Sequence, residues 1–168
     1  MKKYIPYIII VILIILSIVI LLNLKISKKE YKNNYFSITY DTTWKKVSNK
    51  DGLLLEHKKT KSTLTIKTKE LEDKYFSTKL SDITEDIIYS IKEENKSYKE
   101  ISSNTNDDGS ISYLFESEDT NTLVRIYKQD NLLLIAYYEA KIEDFDAVLD
   151  SVDSALNTLK LTPGIKID

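Results

Sequence analysis

The string Asn104-Thr105-Asn106-Asp107-Asp108-Gly109 has the spacing of side-chain oxygens that bends a loop around calcium. Such a loop needs oxygen ligands at alternate positions and a glycine at the sixth, for the sharp turn. Asn104, Asn106 and Asp108 would be the metal ligands. The full cage also needs a bidentate glutamate at the twelfth position. Counted from Asn104 that position is Phe115, and Glu116 comes one residue late. The loop also precedes a strand rather than a helix. Asp-Asp-Gly is equally ordinary turn chemistry between strands, because glycine tolerates positive φ. Two readings follow: a small-ligand or calcium-binding module over Asn104–Gly109, or a plain turn.

Other chemistry is sparse. His57 is the only histidine and there is no cysteine, which excludes Cys–His catalysis and the usual zinc sites. A lone histidine near a strand end reads as a packed or surface residue before it reads as a base. Glu116, Glu118, Asp119, Glu139, Glu143, Asp144 and Asp146 contain the makings of a glycosidase pair, which needs two carboxylates at a set separation in a cleft. Acids this frequent mark solvated turns, and Glu143, Asp144 and Asp146 suit the N-terminus of a helix. Glycines at 52, 109 and 164 alone cannot supply a phosphate loop. No catalytic residue and no cofactor is assigned.

Trp44 and the 12 tyrosines could furnish a protein hot spot or a sugar platform. A tryptophan directly after a strand reads first as a core plug. Tyr137 and Tyr138 must face opposite sides of a regular strand. The basic run Lys58–Lys61 suits either anionic lipid or wall polymer, or a solvated hairpin tip.

The elements that position these residues are legible in the hydrophobic period. Phe36, Ile38 and Tyr40 alternate with Ser37 and Thr39, the pattern of a half-buried strand. Leu53-Leu54-Leu55 and the alternating Leu64 and Ile66 form a hairpin around the Lys58–Lys61 tip. Ile83, Ile87, Ile88 and Ile91 make a helical stripe, and the spacing predicts a helix over 81–94 with Asp82 and Glu85 as a capping box. Strands over 111–117, 122–129 and 132–139 follow as an antiparallel meander with short turns. The last is apolar on both faces and is expected at the centre of the sheet. Phe145, Val148, Leu149, Val152, Leu156 and Leu159 mark a second amphipathic helix, closed by Pro163-Gly164. The order predicts one α+β domain over 35–162, a mainly antiparallel sheet packed by two helices.

Ahead of it, Tyr4 to Leu22 is uncharged and is interrupted only by Pro6 and Ser17. Extended to Leu24, the run fits a hydrocarbon core about 30 Å thick at about 1.5 Å per residue. The expected organisation is a cytoplasmic tail 1–3, a single-pass transmembrane anchor 4–24 that contacts the lipid bilayer, a juxtamembrane linker 25–34, the domain, and a tail 163–168. A cleavable signal would have a shorter apolar core ending in small residues, whereas this run exits through LLNLKIS. Without cysteine there is no lipid-modified residue to anchor a cleaved form. Lys2 and Lys3 before the span nearly balance Lys25, Lys28, Lys29 and Lys32 after it, so charge leaves the direction open. All 26 acids lie beyond the span, against 22 of the 24 basic residues, a net of about −4 that argues against nucleic acid as a partner. The abundance of Lys, Ile, Asn and Tyr is the usage associated with AT-rich bacterial genomes.

Phe36-Ser37-Ile38-Thr39-Tyr40 followed by Trp44 resembles the opening of the PsbP-like fold, with Asp41 where a proline is common. The ending, Phe145 through Lys160, is similar to that fold's closing helix, with Thr158-Leu159 in place of the frequent Ser-Leu pair. The resemblance covers about 35–162. It implies a non-catalytic module that binds another protein, in a family with no common catalytic set. It also implies a domain on the extracytoplasmic side of the cell membrane, because the bacterial members mostly work there.

Overall fold

The computed structural model describes residues 27–47 and 52–162. The expected span 4–24 and the tails 1–3 and 163–168 lie outside the described residues. Among the described residues no helix is long and apolar enough to cross a membrane. The elements run β1 (Lys28–Lys32), β2 (Phe36–Asp41), β3 (Trp44–Val47), β4 (Gly52–His57), β5 (Thr63–Glu70), α1 (Leu80–Glu94), β6 (Lys99–Thr105), β7 (Ile111–Glu116), β8 (Thr120–Gln129), β9 (Leu132–Lys141), α2 (Ile142–Leu156) and β10 (Lys160–Leu161).

Seven strands form one sheet in the order β3-β4-β5-β9-β8-β7-β6, each pair antiparallel. A small sheet, β1-β2-β10, joins the same core. β9 is the middle strand, as its two apolar faces require. Leu134, Ala136, Tyr138 and Ala140 pack with Trp44, Leu55, Leu64 and the α2 residues Phe145, Val148 and Val152. Its neighbours of opposite parity, Leu133, Ile135 and Tyr137, pack with Phe115, Val124, Ile126 and the α1 residues Ile88 and Ile91. The two helices therefore cover opposite faces. Each buried aliphatic or aromatic side chain contributes on the order of 1.5–3 kcal/mol.

Three expectations need correction. Residues 25–34 are not linker throughout, because Lys28–Lys32 pairs along its whole length with β2, from Lys28 opposite Asp41 to Lys32 opposite Ser37. The strand escapes a hydropathy reading because Tyr31 alone turns inward, its ring 5.5 Å from Phe36. The domain thus begins by Lys28, not Tyr35. Next, Asp82 and Glu85 form no capping box: α1 starts at Leu80 after an extended Lys79, with no side-chain cap, and Asp82 lies in the first turn. There its charge complements the helix dipole instead. Finally, the closing helix does not reach Leu159: it ends at Leu156, and Lys160–Leu161 is a strand on β2. Lys99–Thr105, for which no element was expected, is also a strand, with every residue exposed.

Candidate functional site

The Asn104–Gly109 string is a strand end and a tight turn. Asn104 stands in β6 opposite Ser112. The Asn106 N–H donates to Ser110 O at 2.8 Å and the Gly109 N–H to Asn106 O at 2.9 Å, with Gly109 at φ 78°. The side chains close the turn on itself. Asn106 Nδ2 donates to Ser110 Oγ at 2.9 Å and Ser112 Oγ at 2.8 Å, and Asn106 Oδ1 accepts from Asn104 Nδ2 at 3.4 Å. Asp108 Oδ1 accepts from the Ser110 N–H at 2.9 Å and from its hydroxyl. Among the described residues no group of three or more histidine or acidic side chains gathers.

A cation already sits beside this turn. Arg125 of β8 donates from Nε to Ser112 Oγ at 3.0 Å, the hydroxyl that Asn106 also reaches, and from Nη2 to Asp153 Oδ1 of α2 at 2.7 Å. Arg125 is 9% exposed, while the Asp153 side chain is 41% exposed. One charge-assisted bond thus joins α2 to the sheet, and the positive charge opposes a second cation a hydroxyl away. Arg125 is the chain's only arginine, in the otherwise apolar run Leu123-Val124-Arg125-Ile126. A charge at an inward position of a core strand was the signal that sequence reading passed over.

Arg125 lies in a groove of about 240 Å³ between α2 and the β6 edge. Ser102, Asn104 and Asn106 line one side, Leu149 and Asp153 the other, over a floor that includes Leu114 and Leu123. β6 is the last strand of its sheet, so one edge of its main chain has no strand partner among the described residues. A register shift between Glu100 and Ser102 leaves Ile101 49% exposed at the rim. An apolar floor, a rim of amides and hydroxyls and an unpaired strand edge can hold an extended peptide.

The remaining sequence candidates lie elsewhere. Trp44 is fully buried, so it is a core plug. His57 Nδ1 is 2.8 Å from Thr60 Oγ1, and its ring meets Trp44 edge-on at 5.3 Å. Burial lowers its pKa below 6.5, against the opposing pull of Asp41 and Asp144. Tyr138 is buried and donates to Phe145 O at 2.8 Å, while Tyr137 turns to the α1 face; burial pushes both phenols up to about 12. Glu116, Glu118, Asp119, Glu139, Glu143 and Asp146 are exposed, Asp144 half-buried, and Glu143 and Asp144 open α2. A second cavity, of about 290 Å³, is lined by Asp108, Ser110 and Tyr127. Burial, partly offset by the Arg125 charge, pushes the Tyr127 phenol to about 12.

No family model matches the chain, and no curated protein matches it. Solved structures do. The solution structure of cyanobacterial PsbP (CyanoP) from Synechocystis matches with a TM-score of 0.62 at 13% identity, over 82% of this chain and 94% of that one. A crystal structure of a protein from Bacteroides thetaiotaomicron matches with a TM-score of 0.52 at 12% identity, over 80% of this chain and 48% of that one. The chain thus spans about half the length of the second. At such identities the likeness is one of fold, and the fold is PsbP-like.

Proposed function

We propose that this chain is a single-pass membrane protein whose PsbP-like domain works outside the cytoplasmic membrane as a non-catalytic protein-interaction module. The apolar run 4–24 supports the anchor, and the fold likeness supports a binding role. The observation that carries the reading is the groove between α2 and β6, set beside an unpaired strand edge. Its occupant is an extended segment of a partner protein. That segment adds main-chain hydrogen bonds to Ser102–Thr105 and sends alternate side chains over Ser102 and Asn104 toward Leu114.

The test is photo-crosslinking in intact cells, with a benzophenone amino acid at Ser102 or Leu149 and controls at Tyr89 and Lys67. A discrete adduct from both groove positions, and not from the controls, is expected. Normal accumulation of the chain with no groove adduct contradicts the reading.

A further inference from the structure

Charge is sorted along the chain. Residues 25–69 hold 12 lysines and 4 acids, whereas residues 70–162 hold 21 acids and 9 basic residues. The fold then gathers part of the basic segment at one corner. Lys28, where the chain enters β1, stands opposite Asp41 at the end of β2. The turn after Asp41 is tied to the basic hairpin tip: the Lys58 N–H donates to Thr43 O at 2.9 Å, and Lys58 Nζ to Thr42 O. β3 starts at the same place, with Trp44 opposite His57, and Lys46 Nζ lies 4.5 Å over the Tyr31 ring of β1. The chain's point of entry, the β2–β3 turn and the tip therefore share one end of the molecule.

Two of the three carboxylates near that corner are occupied, and the third, Glu30 beside Lys29, is exposed and makes no ion pair among the described residues. Asp41 accepts from Thr43 and Ser151, and Glu56 accepts from Lys61 at 3.1 Å. Lys28, Lys29, Lys45, Lys46, Lys58 and Lys59 make no ion pair among the described residues. Asp144, in the first turn of α2, lies close enough to His57 to act on its charge and bounds the basic surface there.

We infer that this corner lies against the anionic headgroups of the bilayer and fixes how the domain stands on the membrane. The inference rests on the anchor proposed above. Four residues lead from Leu24 to Lys28 and span at most about 14 Å. Screening at physiological ionic strength acts over about 8 Å, so the corner is held near the range in which lysines are drawn to an anionic surface. With this end down, the opposite end, including the Asn106–Ser110 turn, points away from the membrane.

The full chain, placed in phosphatidylglycerol or phosphatidylcholine nanodiscs, is labelled with an amine-reactive reagent and read lysine by lysine. The six corner lysines should react several-fold more slowly in anionic discs, with Lys67 and Lys69, at the other end of the sheet, unchanged. High salt and the combined variant Lys45→Glu, Lys58→Glu, Lys59→Glu should erase the difference. Equal labelling in both lipids, in chain that has entered the discs, overturns the inference. Protection that arises in phosphatidylcholine discs only when soluble poly(glycerol phosphate) is added assigns the corner to a polymer and also overturns it. Failure of the chain to enter discs defeats the anchor alone. Sedimentation with vesicles then decides: salt-sensitive binding to phosphatidylglycerol only supports the corner as a lipid surface, and none removes it.

Discussion

The indole N–H of Trp44 donates to the Ser151 hydroxyl at 2.8 Å, and that hydroxyl donates to Asp41 Oδ2 at 2.7 Å. One serine on α2 thus satisfies the polar edge of a fully buried tryptophan and holds the carboxylate that ends β2. Ser151→Ala strands the indole N–H without its partner. A loss of about 1–3 kcal/mol is expected in urea unfolding followed by tryptophan fluorescence. A change below about 0.5 kcal/mol shows that the bond adds nothing.

Two groups of this network set an acid limit. The folded pKa of His57 lies below 6.5 because burial disfavours the imidazolium. Between that lowered value and 6.5 the unfolded chain binds more protons, so stability declines as pH falls below about 6.5. Burial raises the pKa of Asp41, but hydrogen bonds from Thr43 and Ser151 outweigh it and the net shift is downward from 3.8. Its contribution is present above 3.8 and is lost as pH falls through the folded value. Melting temperatures measured from pH 8 to pH 3 should show both declines, and His57→Gln should flatten only the upper one.

Gly52 opens β4 at φ 151°, where an added Cβ would lie 2.1 Å from the Ile66 carbonyl oxygen on β5. Backbone cannot step aside as a flexible side chain can. Gly52→Ala is expected to cost about 1–3 kcal/mol, read as a lower urea midpoint. Gly109 has φ 78° but open space around a Cβ, so alanine there is strained in the backbone without a clash.

The Asn106–Ser110 turn is closed by its own hydrogen bonds and faces the Arg125 guanidinium. Millimolar calcium is expected to leave the melting temperature unchanged. A rise of several degrees, lost in Asp108→Asn, supports the calcium reading instead.

Much of the architecture was legible because burial imposes a period. The β2 alternation, the two helical stripes and the doubly apolar β9 each name an element, and the β4–β5 hairpin follows from its turn. β1 and β6 were not legible, since edge strands with exposed side chains take their hydrogen bonds from a neighbour and leave no mark on hydropathy. The groove was hidden for the same reason, as one wall is β6. Its Arg125–Asp153 pair joins residues 28 apart in sequence, a closeness that only the packing of α2 on β8 creates. Thr158 is a middle case: it was read as part of the closing helix, which ends at Leu156. Its role, accepting from the Thr39 N–H at 2.8 Å to tie that helix to β2, appears only in three dimensions.

Both proposals stand on an anchored domain exposed outside the cytoplasmic membrane. Protease shaving of intact cells carrying a C-terminally tagged chain, combined with alkaline extraction of their membranes, tests it most directly. A tag removed from intact cells and a chain that resists extraction are expected. A tag that survives shaving but is cut after lysis, or a chain released by alkali, contradicts it.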